Sequence, residues 1–534
     1  MKIQRIELRN FRSFSQFDLD LDGSTVFVIG ENGSGKTSLL SAVSRALGRD
    51  LAFTRADFAD SRQPIELRVT LRDLDVEQQG IFANYVDFAG GRPTLQMETR
   101  AVWSAVNDEA DVEHGYPRQP GSHSRRDERD AIPLQWLPSN RDAGRMLQFG
   151  ITNNLMGRSL EQLPIQAGLD QAIQDVAQAS QQLGADPALA QLLRDARDRL
   201  AGLLPDVIPD AYSMGMAALT PKDLLRQFEL IAAHLGEPVA VSQQSSGISQ
   251  LTIFVFAIMV ATRDPGRILL VDEPEISLHP QPQRALMRAL RALDCQMLVA
   301  THSSNLLDRA DPRLVVRLKR STAGVAVARP AGLSEDEAHR LSRFTSPQTA
   351  EAFFARSVVL VEGLSDQLAL EALAERRGRN LDAEGVAVVP MHGARTISSF
   401  VRLFGPQGFD LHIVGLCDEA EESVFSRALS DSNLGTNPSR LEMQRRGFYV
   451  CVVDLEDELI RALGDPAALQ VVNAVGDSQA FQTYQAQPAN RGRSVHEQLR
   501  GFIKSRKVEY APLLVDALDL ARVPAPLTGL LASV

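Results

Sequence analysis

The chain has 534 residues, 44% of them apolar and 23% charged, with a formal net charge of −11 at pH 7. This length predicts two to four domains, and the composition is ordinary for a globular protein rather than a disordered or fibrous one. The net negative charge argues against a generally basic protein that coats nucleic acid, but it is compatible with a local basic groove. Cys295, Cys417 and Cys451 are far apart without metal-binding spacing, which favours a reducing compartment and structural thiols.

The N-terminal part of the chain predicts short strands around a glycine-rich segment. Its predicted elements are strands at residues 3–8, 17–21, 25–29 and 65–71, a helix at 38–47, and a surface loop or hairpin tip at 104–130. The sequence enters a strand without an apolar signal region, so we expect no signal peptide. We also expect no membrane span, on the expectation that no apolar stretch approaches 18 uncharged residues.

The segment Gly30–Thr37 fits the phosphate-binding pattern G-x-x-x-x-G-K-T, with a predicted strand before it and a helix after it. Its backbone N–H groups and the helix start favour bound phosphate. Lys36 is expected to reach the β- and γ-phosphates of ATP, and Thr37 to hold Mg²⁺. The predicted ATP-binding residues of this loop are Asn32, Gly33, Ser34, Gly35, Lys36, Thr37 and Ser38.

A second apolar strand, 268–271, ends in two acids, Asp272 and Glu273. Asp272 is expected to bind ATP-associated Mg²⁺, and Glu273 to orient and polarise the attacking water. The segment 245–250 opens an apolar helix upstream, and the segment 300–303 ends another strand downstream. Four ordered pieces of this kind predict an ATPase rather than an isolated glycine turn.

Two further regions complete the organisation. Leucine spacing over residues 158–208, interrupted by Pro164 and Pro187, predicts a short helical insertion for packing or dimer contact. Residues 319–350 suit a linker with one helix. A fresh α/β pattern then begins, with strands at 358–361, 386–390 and 411–416 and helices at 365–377 and 395–404.

Acidic residues follow two strands of this C-terminal pattern. Glu362 ends the first strand, Asp366 lies in the next helix, and Asp418 follows a later strand. Strand ends at one sheet edge gather ligands in α/β folds, and carboxylate oxygens suit Mg²⁺ or Mn²⁺. The pattern therefore predicts a divalent-metal site.

The ordered ATPase motifs resemble the ABC-type heads of the SMC and RecF group. By that resemblance, Ser246 and Gly247 bind the γ-phosphate of ATP held by an opposite head, and His302 senses the γ-phosphate. The resemblance implies a dimer that sandwiches two ATP molecules. Arg141 lies in a segment that looks like a loop of such heads, where it contacts nucleotide or DNA or forms a structural salt bridge.

The C-terminal half resembles a Toprim domain, and nearly the whole chain resembles the OLD (overcoming lysogenization defect) family of ATP-dependent nucleases. Ala420 stands where that family has the second acid of D-x-D, so Glu421 or Glu419 is the expected substitute. The resemblance assigns catalytic Glu362 and Lys507, beside the ATPase residues Glu273 and His302. It assigns the Toprim metal ligands Glu362, Asp366, Asp418, Glu421 and Glu456.

The resulting fold class is α/β: an ABC-type ATPase head with a helical insertion, followed by a Toprim α/β domain. The expected domains are 1–157 and 209–345 for the two parts of the ATPase, 158–208 for the insertion, 351–515 for the Toprim domain and 516–534 for a tail. Residues 485–509 carry six Lys or Arg against two Glu, which predicts a strip for the DNA phosphate backbone.

These features predict a cytoplasmic ATPase and Mg²⁺- or Mn²⁺-dependent DNA endonuclease or nickase, in phage defence or DNA repair. The expected partners are DNA, a second copy through the heads or the insertion, and a defence-system protein; assembly beyond a dimer is left open. The alternative is a non-cutting ATP-dependent clamp or effector-holding switch with a degenerate Toprim domain. A transporter ATPase would need a separate permease, and the C-terminal half argues against it.

Overall fold

A computed structural model describes residues 1–119, 121–151, 154–160, 163–184, 186–189, 191–192, 194–195, 220–234, 237–264, 266–321, 324–330, 332–344 and 347–534. The described chain divides into two compact units. The first comprises Met1–Trp136, Ile268–Glu275 and Gln296–Val534, and the second comprises Leu137–Arg267 and Ile276–Cys295.

The strands are β1 (Lys2–Phe11), β2 (Phe14–Asp20), β3 (Thr25–Gly30), β4 (Ile65–Arg72), β5 (Thr94–Ser104), β6 (Glu109–Gly115), β7 (Leu134–Leu137), β8 (Ile231–His234), β9 (Glu237–Ala240), β10 (Ile268–Asp272), β11 (Gln296–Ala300), β12 (Val315–Ser321), β13 (Gly324–Ala328), β14 (Ser357–Val361), β15 (Val386–Pro390), β16 (His412–Cys417) and β17 (Phe448–Val450).

The described α-helices span Lys36–Ala46, Val76–Ile81, Arg126–Asp130, Ala143–Met146, Leu155–Leu160, Gln166–Gly184, Pro221–Leu225, Ser246–Arg263, Pro280–Arg291, Glu335–Phe344, Pro347–Glu351, Leu364–Arg376, Leu381–Glu384, Ile397–Phe404, Glu422–Asp431, Arg440–Arg445, Leu455–Leu463, Asp465–Ala474, Ser478–Ala486, Val495–Lys504, Lys507–Ala517 and Ala525–Ala532.

Two sheets form the N-terminal core of the first unit. A six-stranded sheet has the order β13-β12-β3-β11-β10-β7, and a five-stranded sheet has the order β2-β1-β4-β5-β6. Strands β3, β10 and β11 are fully buried and mutually parallel, so their carboxyl ends share one edge. The helix Lys36–Ala46 packs against both sheets, burying its apolar residues in a core that the two sheets share.

A four-stranded parallel sheet, β15-β14-β16-β17, forms the C-terminal part of the first unit. Strand β14 is central, and its apolar run Val358–Val361 is fully buried, as expected for a strand covered on both faces. The helix Leu364–Arg376 packs on Lys507–Ala517, and the last helix, Ala525–Ala532, packs on β17. These elements share one apolar core.

The structure confirms the predicted strands of both α/β regions to within a few residues, confirms a hairpin tip within 104–130, and adds elements to two segments. The region 104–130 contains β6, which pairs with β5, and the helix Arg126–Asp130. The region 319–350 contains β13, which pairs with β12, and two helices instead of one. Both strands were missed because their outward residues are polar or small, which leaves only a weak alternating pattern.

Part of the predicted insertion is described, as the helix Gln166–Gly184. Residues 161–162, 185, 190, 193 and 196–208 of the predicted insertion lie outside the described residues. The expectation that no apolar stretch approaches 18 uncharged residues needs correction, because the helix Ser246–Arg263 has 18 residues and is long and apolar enough to cross a membrane by length and composition. One such helix is weak evidence for a membrane span, since a core helix passes the same test. Within its unit this helix packs on Leu155–Leu160, and Arg263 donates to the carbonyl oxygen of Ser159 at 2.9 Å.

Candidate ATP site and candidate metal centre

The phosphate-binding loop continues directly from the carboxyl end of β3. Gly30, Gly33 and Gly35 all have positive φ angles, of 149°, 75° and 103°. A Cβ atom at Gly30 would lie 2.5 Å from the carbonyl oxygen of Leu318 and 2.6 Å from Ser34 Oγ. Only glycine fits at this position, so the loop can turn tightly before the helix that begins at Lys36.

Lys36 is only 5% exposed and lies across the loop that precedes it. Its Nζ donates to the carbonyl oxygens of Gly30 at 3.0 Å and Glu31 at 3.1 Å. Burial lowers the pKa of Lys36 to about 8, although the carboxylates of Glu273 and Asp272 oppose this shift. A buried cation held by two carbonyl oxygens is well placed to exchange them for phosphate oxygens.

The two sequence-distant halves of the predicted ATP site meet. Thr37 Oγ1 donates to Asp272 Oδ1 at 3.2 Å, although the residues are 235 positions apart. Glu273 follows Asp272 with a positive φ of 47°, and its N–H donates to Ala300 O at 2.8 Å. His302 Nε2 lies 3.7 Å from Glu273 Oε1. Burial lowers the pKa of His302, as does the nearby Lys36, whereas Glu273 opposes the shift.

Glu275 is an additional residue of this edge that sequence reasoning missed. Its Oε1 accepts from the backbone N–H of His302 at 2.6 Å and from Thr301 Oγ1 at 3.0 Å. Burial raises the pKa of Glu275, while these hydrogen bonds act in the opposite direction. Glu275 therefore fixes the end of β11, and its place two residues after Glu273 was the available signal.

An open cleft of about 510 Å³ joins these groups. Two arginines that sequence reasoning did not assign to nucleotide also line it, Arg12 and Arg320. Arg12 donates from Nε to Asp57 Oδ1 at 2.8 Å and from Nη1 to Ser38 Oγ at 3.4 Å. Cleft residues already assigned to ATP are Asn32, Gly33, Gly35, Lys36, Thr37, Ser38, Glu273 and His302.

The second unit contains Ser246 and Gly247, which begin its long apolar helix. A Cβ atom at Gly247 would lie 3.1 Å from the carbonyl oxygen of Ser277, so glycine permits this close approach. Arg141 is 5% exposed, donates to Pro138 O at 2.9 Å, and lies 5.0 Å from the ring centroid of Phe254. These contacts favour a structural role for Arg141, and the salt bridge expected from the sequence stays a prediction.

The C-terminal acids lie along one edge of the parallel sheet. Glu362 follows β14 and Asp418 follows β16, and these strands pair with each other. Asp366 lies at the start of the next helix, where its Oδ2 accepts from the backbone N–H of Gly363 at 2.8 Å. A Cβ atom at Gly363 would lie 3.9 Å from both Asp366 Oδ2 and Lys507 Nζ, which brings the predicted lysine beside the first acids.

These carboxyl groups perturb one another strongly. Burial raises the pKa of Asp418 to about 8, and Glu362 and Asp366 contribute in the same direction. Burial likewise raises the pKa of Glu456 to about 7, with a further increase from Asp454 and a decrease from Lys507. A group of buried like charges holds protons unless a cation neutralises it.

Glu421, rather than Glu419, faces this group. Residues Glu419–Glu421 form a 3₁₀ turn capped by Asp418, which places Asp418 and Glu421 on the same side at spacing i, i+3. Burial raises the pKa of Glu362, and Glu421 is the next largest cause. Glu419 is 55% exposed on its side chain and pairs with Arg440 at 3.4 Å.

Asp454 also belongs to the acidic group, although the sequence analysis did not predict it to be a metal ligand. It is 4% exposed and accepts from Arg500 Nε at 3.0 Å and Nη2 at 2.7 Å. Burial favours protonation, but these charge-assisted bonds outweigh it and lower the pKa of Asp454. Its helix-cap bond to Asp457 N–H, at 3.0 Å, is the ordinary role that its sequence position indicates.

The donor set fits a hard divalent cation. Among the described residues, no three His, Cys, Asp or Glu side chains are close enough together, as they stand, to hold a metal ion. However, Glu456 Oε1 is buried and accepts no hydrogen bond from the part of the chain that the structure describes. Carboxylate oxygens that raise one another's pKa, with one of them unsatisfied, are what a divalent cation would relieve.

Comparisons with known proteins give two family matches in separate parts of the chain. Residues 26–308, just over half of the chain, match the family described as "AAA domain, putative AbiEii toxin, Type IV TA system". Residues 353–419 match "Overcoming lysogenization defect protein-like, TOPRIM domain".

Individual relatives are similar to this chain over different shares of their length. The "OLD nuclease" of Thermus scotoductus is 25% identical over 456 residues, which cover 80% of this chain and 83% of that protein. "Uncharacterized protein YbjD" of Escherichia coli is 33% identical over 165 residues, 30% of this chain and 29% of that protein. The C-terminal region of the Xanthomonas campestris OLD protein is a solved structure with 23% identity and a TM-score of 0.29; the match covers 34% of this chain and 95% of that one.

Proposed function

Because the chain belongs to this AAA-domain family and also carries an OLD-like Toprim domain, we propose that it is an ATP-hydrolysing, metal-dependent DNA endonuclease or nickase. The observation that carries the proposal is the pairing of two sites on one compact unit. The hydrogen bond from Thr37 to Asp272 supports the candidate ATP site. Glu362 and Asp418 follow two neighbouring strands of the same unit and support the candidate metal site.

At the ATP site, Thr37 and Asp272 would hold Mg²⁺, which neutralises phosphate charge when bound. Lys36 exchanges its two carbonyl acceptors for phosphate oxygens. Glu273 orients the attacking water and accepts its proton. His302, which lies 3.7 Å from Glu273, would respond to the γ-phosphate. Ser246 and Gly247 act on ATP held by a second copy, which makes a homodimer the working unit.

At the Toprim edge, Mg²⁺ or Mn²⁺ supplies water activation and leaving-oxygen stabilisation when bound. The residues that would hold it are Glu362, Asp366, Asp418, Glu421 and Glu456. Lys507 places positive charge next to Glu362 and Asp366, where it offsets charge on the phosphate under attack. Arg500 keeps Asp454 ionised beside them.

DNA is the proposed polyanionic substrate, held through its phosphates. The basic strip is smaller than its sequence indicates, because Arg500 binds Asp454 and Arg506 lies 4.3 Å from the ring centroid of Phe502. Arg491, Arg493, Lys504 and Lys507 remain for DNA contact. We place this activity in the cytoplasm, in phage defence or DNA repair, acting with a defence-system protein.

The test is cleavage of supercoiled plasmid by purified protein, with Mg²⁺ and Mn²⁺ supplied separately and with or without ATP. Wild type should nick or cut, and Glu362→Ala should not. Glu419→Ala is the matched control. It removes a nearby acid whose side chain is exposed and forms an ion pair with Arg440. Cutting that is equal in wild type and Glu362→Ala would refute the assigned site.

One observation favours a second function, a non-cutting ATP-dependent clamp or effector-holding switch. Ala420 removes the second acid of the family's D-x-D, and no described trio of ligands is preassembled. DNA binding that responds to ATP, without cutting in either metal, would support the switch.

A further inference from the structure

Glu31 lies at the outer edge of the phosphate-binding loop and touches two different partners. Its carbonyl oxygen accepts from Lys36 Nζ at 3.1 Å. Its side-chain Oε1 lies 3.4 Å from Arg356 Nε, forming a partly exposed ion pair with side-chain exposures of 54% and 71%. Glu31 therefore contacts both Lys36, the proposed phosphate ligand, and Arg356, which immediately precedes the Toprim sheet.

Arg356 immediately precedes β14, the strand that ends at Glu362. Its backbone N–H and that of Ser357 donate to the carbonyl oxygen of Gly385, at 2.8 and 3.2 Å. A Cβ atom at Gly385 would lie 3.2 Å from Arg356 Cγ, so the arginine stem packs against the turn that begins β15. Displacing Arg356 would therefore shift the first residues of both β14 and β15.

A second contact holds this segment against the ATPase sheet. Arg317 of β12 pairs in register with Ile29, the residue before Gly30. Its Nη2 donates to the carbonyl oxygen of Ala355 at 2.9 Å, and Arg317 is buried. Residues 355 and 356 are thus fixed to the strand beside the loop and to the loop itself.

We propose that the Glu31–Arg356 pair transmits the nucleotide state of the loop to the Toprim edge. This inference rests on the proposed function, because it assumes ATP at the loop and a divalent metal at the edge. ATP phosphates and the carbonyl oxygens of Gly30 and Glu31 compete for the same Lys36 protons. When Lys36 turns to phosphate, the Glu31 peptide loses its donor and reorients, which shifts its pairing with Arg356.

The shift reaches the metal ligands through a single buried strand. Strand β14 pairs with β16, so a small displacement of β14 changes the separation of Glu362 from Asp418. The coupling through one partly exposed ion pair should alter metal affinity about two- to five-fold. Nucleotide binding raises the metal affinity if the displacement of β14 brings the carboxylates of Glu362 and Asp418 closer together, and lowers it if the displacement separates them.

Hydrogen exchange of the full chain, with and without a non-hydrolysable ATP analogue, separates this inference from the proposed function. Slowed exchange in residues 30–38 reports nucleotide binding, and altered exchange in residues 357–366 reports coupling. Wild type and Arg356→Lys should show both changes, whereas Arg356→Ala should show only the first. Arg427→Ala is the control, an exposed arginine on the Toprim helix Glu422–Asp431, and should behave as wild type.

A Mn²⁺ titration by calorimetry gives the second measurement. The analogue should change the wild-type Mn²⁺ affinity about two- to five-fold, and this change should disappear in Arg356→Ala alone. Loop protection without any response at 357–366 in wild type overturns the coupling but leaves the ATP site intact. An equal response in wild type and Arg356→Ala also overturns it. Absence of loop protection contradicts the proposed function itself.

Discussion

Asp418→Asn should stabilise the metal-free protein at alkaline pH while abolishing its response to metal. Burial and neighbouring acids raise the pKa of Asp418 from 3.8 to about 8 in the folded protein. The folded state therefore binds a proton that the unfolded state releases, so stability falls as pH rises between these values and the full penalty applies above about pH 8. Asparagine has the same shape and carries no charge.

The pKa difference corresponds to about 6 kcal/mol for the ionised Asp418 carboxylate. Because a proton taken up by Glu362 or Glu456 relieves the same repulsion, the net gain in Asp418→Asn should be smaller, about 2 kcal/mol. A gain of this size raises Tm by about 2 °C when the 534 residues unfold together, because the entropy of unfolding is then about 1.1 kcal/mol/K.

Thermal unfolding in EDTA at pH 4 and pH 9 measures this difference. Asp418→Asn should gain Tm over wild type at pH 9 and little at pH 4, and added Mg²⁺ should stabilise only the wild type. Glu419→Gln, at an exposed neighbouring acid, is the control and should not gain. A variant that is less stable than wild type at pH 9, or equally affected at both pH values, would refute the proposed acidic cluster.

Three further changes test separate parts of the account. Arg500→Ala leaves the buried Asp454 carboxylate unpaired and should lower the free energy of unfolding by about 3 kcal/mol in urea titrations; a loss below about 0.5 kcal/mol would contradict the pairing. Lys36→Ala should abolish binding of a fluorescent ATP analogue with unchanged circular dichroism, and retained binding would argue against the loop assignment. Glu421→Gln should weaken Mn²⁺ binding about ten-fold by calorimetry, whereas Glu419→Gln should not; the reverse order would exchange their roles.

The arrangement of the candidate ATP site was largely predictable, because a phosphate-binding motif requires particular residue types at fixed positions between a strand and a helix. Gly30, Lys36 and Thr37 sit between β3 and its helix as the motif requires. The position of Arg320 in the cleft was not predictable, because Arg320 and the phosphate-binding loop are separated by almost the whole ATPase sequence. Its Nη1 approaches Gly33 O at 3.5 Å only because β12 lies beside β3.

The Toprim edge was predictable in outline but not in its details. Strand periodicity placed Glu362 and Asp418 at strand ends, which is enough to bring them to one sheet edge. The choice of Glu421 over Glu419 depends on a 3₁₀ turn, whose geometry the run of acids does not reveal. Asp454 illustrates a further limit, because a helix cap and a buried member of a charged group have the same sequence signature.

The central claim is that the acidic edge cuts DNA while the phosphate-binding loop uses ATP. Plasmid nicking in Mn²⁺ and ATP hydrolysis should be measured on the same preparations of wild type and Glu362→Ala. We predict that Glu362→Ala loses nicking and retains ATP hydrolysis. Undiminished nicking by Glu362→Ala, or no nicking by wild type in either metal, would contradict the claim.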